Sequence, residues 1–505
     1  MKLYLPLSLA FIWAACSGAF AQNQHFPLDF QHAAELTNKD SLENYIVEKY
    51  ETDRDNLLGR GYTTREKDIM RTNFRARKAV SLAMIADSQL LLTGVLYEYV
   101  GMVFDKLLTA NPGIQSGKRI LIVCDLSPNA FTMGDGIVYV HIGLLYRLQN
   151  EEQLALVLGH ELAHNELDHY SRNLLDYVAL MTDRERESQI KKIMRDEYGQ
   201  ASKMNELMIP WILANREKSR KFESAADSLG FEFYANAGYS TELAVGLFDL
   251  LESFDHERDT QLIDWYNVVK TDSVQLDSLR FTKYSQQSSL GTFEEKNAEE
   301  KELEALLRTH PFEEERAFFF RDQMNLLAQK PADSISAGYA YIRYISEGEM
   351  VYTALRNKNI GRALFYAENM QQAYPADRYS KNVFAYALAA LALAKKNRQE
   401  GMAIDMRDKD FDEAYDRTLH FFRLLKPAEC ARLAYFFLEK NCKDDTEFVE
   451  NMAAQVISTY LMSQTSEFLR TYNEYKDYLL KSEYQAQIRK IYDEYLFKQN
   501  NPKSK

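Results

Sequence analysis

The chain has 505 residues, 46% of them hydrophobic and 27% charged, with a formal charge of −13 at pH 7. Such a length exceeds one ordinary core and predicts at least two domains. The acidic balance argues against a nucleic-acid binder, and only 20 glycines and 10 prolines favour long helices over strands and turns.

The first stretch, "MKLYLPLSLAFIWAACSGAFAQ", carries one cation at Lys2, an apolar run from Leu3 to Ala15 and the small-x-small pattern Ala19-Phe20-Ala21. It reads as a signal peptide over residues 1–21, cut after Ala21. A lipoprotein cut before Cys16 competes with this, against which Trp13 stands where such signals usually carry leucine. Beyond it, no apolar run reaches the roughly eighteen residues of a membrane helix, so the mature chain is expected to have none. Cys430 and Cys442 could pair across neighbouring helices, although nothing in their spacing demands it. Cys124, inside the apolar run "RILIVCD", reads as a small buried residue.

Residues 39–110 are helical in pattern, most clearly "VSLAMIADSQLLLTGVLYEYVGMVFDKLL", and Asn111-Pro112-Gly113 ends them. Two β-branched runs, "RILIVCD" and "IVYVHI", predict strands on either side of "LSPNAFTMGDG". The helix of "LGHELAHNELDHY" follows. Residues 171–218 are charged and mostly helical with an interruption at Pro210-Trp211, and a second short helix covers Lys221 to Ala237. From 240 to 330 helices alternate with loops, and the acidic run "EEKNAEEKELE" reads as a solvated helix face. From about 335 helix follows helix. Ala363 and Pro375 are spaced as in the second helix of a tetratricopeptide repeat, and Ala414 and Pro427 give an imperfect copy; an irregular helical bundle is the plainer reading.

Four residues turn a helix by about 400°, so His160 and His164 project from nearly one azimuth and can share a tetrahedral zinc. Glu161 lies about 100° further round, placed to act as general base on a water at the metal. Leucines around the circumference suit a buried helix. Glu223 and Asp227, again four apart, can supply the third ligand and an acceptor for the free ring N–H of a ligand histidine. Small Ala225 and Ala226 would let the two helices approach. On an unbroken helix His169 falls about 140° from His164, too far to be a ligand, so a place behind the ligands or on the surface is expected.

In order, Asn129-Ala130-Phe131, Gly136, Gly143-Leu144-Leu145, His160-Glu161-Leu162-Ala163-His164, Arg220-x-x-Glu223-x-x-Ala226-Asp227-x-x-Gly230, Ala237-Gly238-Tyr239 and Thr309-His310-Pro311 with Arg316 resemble the zinc metallopeptidases related to CAAX prenyl endopeptidase. That group includes membrane-embedded proteases of the HtpX type and soluble periplasmic members with tetratricopeptide repeats, the BepA type. The likeness covers about residues 115–320. It implies an α+β, mostly α fold: a zincin-like domain with a small β-sheet over residues 22–330, then a helical repeat domain over 335–505. It implies one Zn2+ per chain on His160, His164 and Glu223, with Glu161 as base, Asp227 behind a histidine, and His310 and Arg316 steadying the oxyanion.

The implied function is proteolysis of envelope proteins in quality control, in an exported, periplasmic protein that could associate with the outer membrane. Peptide would lie along an edge strand, taken as "GIVYVHI", and the C-terminal helices would recruit protein partners. The charged insertion between His164 and Glu223 cannot span a bilayer and is expected to gate the cleft, so deleting residues 183–205 should raise cleavage. A chaperone or adaptor with a structural zinc is the competing reading from another class. Processing of prenylated peptides is disfavoured, because no membrane chamber is encoded.

Overall fold

The structure is a computed structural model that describes residues 39–195, 200–240, 262–269, 337–406 and 413–500, with 246–247, 250, 274, 276–277 and 280–281. The expected signal peptide, Cys16, the acidic run, His310 and Arg316 lie outside these residues. The chain divides into two compact units, one of Gln31–Glu252 with Glu294–Arg343 and one of Ser253–Phe293 with Tyr344–Lys505.

The first unit opens with α1 (Lys39–Leu58) and α2 (Thr64–Ala86). Thr63 caps α2 in a reciprocal box with Glu66, which satisfies backbone donors that the first turn leaves open. The long apolar run expected to be one helix is broken. Ser88 adopts φ 53°, Gln89 N–H closes back onto Met84 O at 2.8 Å, and the chain turns into strand β1 (Leu90–Leu91) before α3 (Val95–Ala110). Apolar periodicity cannot reveal such a break, because the residues on both sides of it are equally apolar.

Strands β2 (Arg119–Val123), β3 (Ala130–Thr132) and β4 (Ile137–His141) complete a four-stranded sheet of order β1-β2-β4-β3. β2 and β4 run parallel with Ile120 opposite Val138 and Ile122 opposite Val140, while β3 pairs antiparallel with β4. All five residues of β4 are buried, the pattern of a strand covered on both faces. Leu121, Val123, Ile137 and Tyr139 face a core made with α1, α2 and the later helix that holds Leu174 and Val178. The alternating residues point the opposite way, toward α3 and the helix of the histidine motif. Beneath the sheet, Asp135 is 1% exposed and accepts hydrogen bonds from Tyr50 Oη (2.9 Å), Tyr139 Oη (3.1 Å) and Ile137 N (3.0 Å).

After α4 (Ile142–Arg147) come α5 (Glu151–Glu166), α6 (His169–Thr182), α7 (Arg184–Ile193) and α8 (Gln200–Asn236). α8 runs unbroken through Pro210, so the expected interruption and the separate short helix from Lys221 are one long helix. A proline inside a helix forfeits one hydrogen bond and favours a bend, and it need not end the helix.

The described residues of the second unit are mostly helical: α9 (Trp265–Val269), α10 (Ala337–Arg356) from Tyr344 on, α11 (Ile360–Ala373), α12 (Arg378–Lys396), α13 (Glu400–Ala403), α14 (Glu413–Leu424), α15 (Pro427–Asn441), α16 (Val449–Leu461), α17 (Thr465–Leu479) and α18 (Gln485–Asn500). α12 is its axis. Fourteen of its residues are buried, and α11, α15 and α16 pack around it. Three of its helix-to-helix turns are alike, each placing one non-glycine residue in the left-handed region: Lys358, Arg398 and Ser463. At each, the next N–H bonds a carbonyl five residues back, closing the turn in the Schellman manner.

Ala363 is fully buried on α11 and Pro375 follows that helix, whereas Pro427 opens α15 rather than ending a helix. Trp265, which precedes residue 330, belongs with this unit. It is 3% exposed, packs edge-on against Phe422 and donates to Thr418 Oγ1 at 2.8 Å. Cys430 and Cys442 are free thiols. They sit on and at the end of the same helix, about 18 Å apart along its axis, well beyond the reach of a disulfide. The pairing that the sequence left open is therefore not formed. No described helix is long and apolar enough to cross a membrane.

Glu349 in α10 is 2% exposed, and burial pushes its carboxyl up to about 8. The folded chain therefore holds a proton that the unfolded chain releases near its ordinary value of 4.5. For an acid shifted upward, stability declines as pH rises from about 4.5 to about 8. Glu349→Gln is expected to flatten that decline and to stabilise the helical unit at pH 8.5 by on the order of a few kcal/mol. Urea melts of both proteins at pH 5 and pH 8.5 test this. Equal slopes against pH in the two would refute it.

Candidate metal centre

α5 is anchored at its start before it presents any chemistry. Asn150 caps it, accepting from Gln153 N at 2.9 Å, and Glu151 in the first turn receives hydrogen bonds from Tyr99 Oη and from Tyr239 Oη (3.0 Å). An acid at this position also suits the positive end of the helix dipole. Leu154, Ala155, Leu158, Leu162 and Ala163 are fully buried, so the helix is covered on several sides as its leucines predicted.

The second element of the site is set by a glycine contact. A Cβ on Gly159 would lie 2.7 Å from Gly230 O, and one on Gly230 would lie 2.7 Å from His160 N and 2.8 Å from Gly159 C. α5 and α8 therefore cross backbone against backbone, at the residue before the first histidine. Ala226 is buried beside this crossing, but Ala225 is exposed and takes no part in it, which corrects the role expected of it. Gly159 directly precedes the first histidine, and a glycine flanking a functional residue on a buried helix is the sequence signal for such a close crossing.

The crossing brings Glu223 over the two histidines. His160 Nε2 and His164 Nε2 are 2.9 Å apart, each lies 3.5 Å from one oxygen of Glu223, and their donor atoms all fall within 4.8 Å of one another. Donors about 2.0–2.1 Å from a tetrahedral zinc are separated by about 3.3 Å, so two imidazoles and a carboxylate at these distances fit that ion. His160 Nδ1 is 2.8 Å from Asp227 Oδ1, which fixes the ring with Nε2 toward the cluster. Burial, reinforced by neighbouring His160, pushes the His164 imidazole down to about 3, so it is a neutral lone-pair donor at pH 7. Glu161, 9% exposed, follows His160 directly on the same helix.

His169 departs from its expected azimuth. α5 ends at Glu166, Asp168 adopts the left-handed conformation (φ 50°, ψ 40°), and His169 begins α6. The 140° computed for an unbroken helix does not apply. The ring is 3% exposed, stacks on Phe222 at 4.3 Å, and sets Nδ1 3.0 Å from His164 Nδ1. Aspartate tolerates the left-handed region better than most residues, which is the one hint the sequence held.

The strand expected to receive peptide is corrected too. β4, which carries "IVYVH", is interior to the sheet, and the described edges are β1 and β3. β3 packs on α5, and Thr132 Oγ1 donates to Asn165 Oδ1 at 2.9 Å, one residue past His164. The segment between the ligands comprises α6, α7 and the first part of α8, with 196–199 outside the described residues.

Residues 97–322 match the profile of peptidase family M48. This stretch, somewhat under half of the chain, is similar to that family. Metalloprotease YcaL of Escherichia coli (strain K12) is 32% identical over 139 residues, 27% of this chain and 52% of that protein. Mitochondrial Metalloendopeptidase OMA1 of Bos taurus is 34% identical over 134 residues, 25% of each chain. A Vibrio cholerae protein named for a beta-barrel assembly-enhancing protease is 27% identical over 164 residues, 31% of this chain and 33% of that one. The chain spans about half or less of the length of these curated relatives. The M48 region begins inside α3 and contains the sheet from β2 onward, α5 and α8, while α1 and α2 precede it and fill the core beneath the sheet. M48 peptidases are zinc-dependent, in keeping with the fit of the His160, His164 and Glu223 donors.

Proposed function

We propose that the protein is a zinc metalloendopeptidase in which His160, His164 and Glu223 hold the metal and Glu161 is the general base. The observation that carries this is the convergence of two imidazole nitrogens and one carboxylate from crossing helices, with Asp227 orienting His160 from behind. Among the described residues, two histidines and one glutamate converge with no cysteine beside them, as suits an open catalytic site rather than a closed structural one. Bound there, zinc supplies the Lewis acidity that makes water a nucleophile near neutral pH.

The chain's own residues do the rest. Glu161 takes the proton as water adds to the scissile carbonyl, then delivers it to the departing amine. An extended peptide pairs with the free edge of β3, whose main-chain groups lie along α5, so the backbone of the substrate is read independently of its sequence. His310 and Arg316 are assigned, on the family resemblance, to hold the oxyanion. Envelope proteins are the proposed substrates and quality control the proposed role, supported by the apolar run from Leu3 to Ala15 and the relative named for beta-barrel assembly. The helical unit, with its repeated turns, is the proposed tetratricopeptide-like surface for protein partners.

The test is metal removal. Dialysis against a chelator is expected to abolish cleavage of an unfolded protein such as casein, and one equivalent of zinc to restore it. Full activity after verified loss of zinc would sink the proposal.

A further inference from the structure

Resting on that reading of the metal ligands, we infer that His169 is a positioning residue which fixes the tautomer of His164. His164 turns Nε2 toward His160 and Glu223, so its metal-facing nitrogen must carry a lone pair and its proton must sit on Nδ1. That N–H points at His169 Nδ1, 3.0 Å away, and His169 accepts it. The two ligand histidines thus have unlike supports: Asp227, a carboxylate, behind His160, and a neutral imidazole behind His164.

His169 is itself built in rather than passing by. Its ring lies flat on Phe222, one residue before the ligand Glu223, with planes 10° apart. The left-handed turn at Asp168 aims it back at α5. The following residue is also clamped: Tyr170 Oη donates to Asn73 Oδ1 at 3.0 Å, and Arg77 sits 3.6 Å from the centre of the Tyr170 ring. The start of α6 is therefore held on both sides, and the cost of orienting His169 falls at folding rather than at metal binding. A carboxylate acceptor raises ligand basicity more than a neutral imidazole does, so His164 is the less electron-rich of the two ligand histidines.

Two variants of the full chain separate hydrogen bonding from packing. His169→Phe keeps an aromatic ring on Phe222 and removes the acceptor; His169→Asn places an oxygen near the position of Nδ1 and removes the ring. Zinc affinity is read by competition with a chromogenic chelator, and ligand geometry by the visible spectrum of the cobalt-substituted protein. His169→Phe is expected to bind zinc about 10–100-fold more weakly with a changed cobalt spectrum, and His169→Asn to recover most of both. Wild-type affinity and spectrum in His169→Phe would overturn the inference, as would a loss in His169→Asn as large as in His169→Phe. If the wild type itself binds no zinc, the metal-site reading fails first and this one with it.

Discussion

Glu161→Gln is expected to lower proteolysis about 10²- to 10⁴-fold while zinc stays near one per chain. Glutamine keeps the length and most of the hydrogen bonding of Glu161 but cannot take a proton, so the change isolates the base from the ligands. Glu161 stands on α5 between the buried leucines, and it is not among the residues whose donor atoms converge. Zinc content by plasma emission and cleavage of a quenched peptide should therefore separate: full metal, almost no turnover. Turnover within tenfold of wild type would remove Glu161 as the base. Loss of zinc together with turnover would show that it supports the metal site instead.

Gly230→Ala is the second large effect. The new Cβ would meet His160 N at 2.7 Å and Gly159 C at 2.8 Å. Both are backbone atoms of α5, so no side chain can rotate away and the helices must part. Overpacking of this kind costs about 1–3 kcal/mol or more. The chemical consequence is larger than the energetic one. Glu223 lies two turns earlier on α8 and each of its oxygens is 3.5 Å from a histidine nitrogen, so a shift of the helix takes the third donor away from the other two. Zinc after gel filtration is expected to fall well below one per chain, with a lowered melting temperature, whereas Ser228→Ala on the exposed side of the same helix should change neither. Stoichiometric zinc in Gly230→Ala would show that the close crossing is not what assembles the site.

Much of the site was legible because its chemistry is local. A spacing of four on a helix dictates a shared azimuth, and this located His160 with His164 and Glu223 with Asp227. The strands β2 and β4 were legible for a similar reason, since β-branched runs bounded by turn residues have few other uses. What failed were inferences that extended a regular element past its real end. The azimuth expected for His169 presumes a helix that in fact stops at Glu166; the left-handed Asp168 turns the ring back onto His164, and His169 still stands outside the ligand set, as expected. The run from Val80 to Leu108 was read as one helix and holds a turn, a strand and a second helix start. Pro210 was read as a break and lies within a continuous helix.

The sequence by itself determined which side chains can bind a metal and which pairs share a face, because backbone periodicity requires only a few consecutive residues. Tertiary structure alone decided that the two pairs meet. That depends on Gly159 and Gly230 touching across some seventy residues of chain, on β4 being interior and β3 an edge, and on Phe222 and Asp168 turning His169 toward His164. Contacts between distant segments are fixed by packing over whole surfaces, and no window of local sequence contains that information.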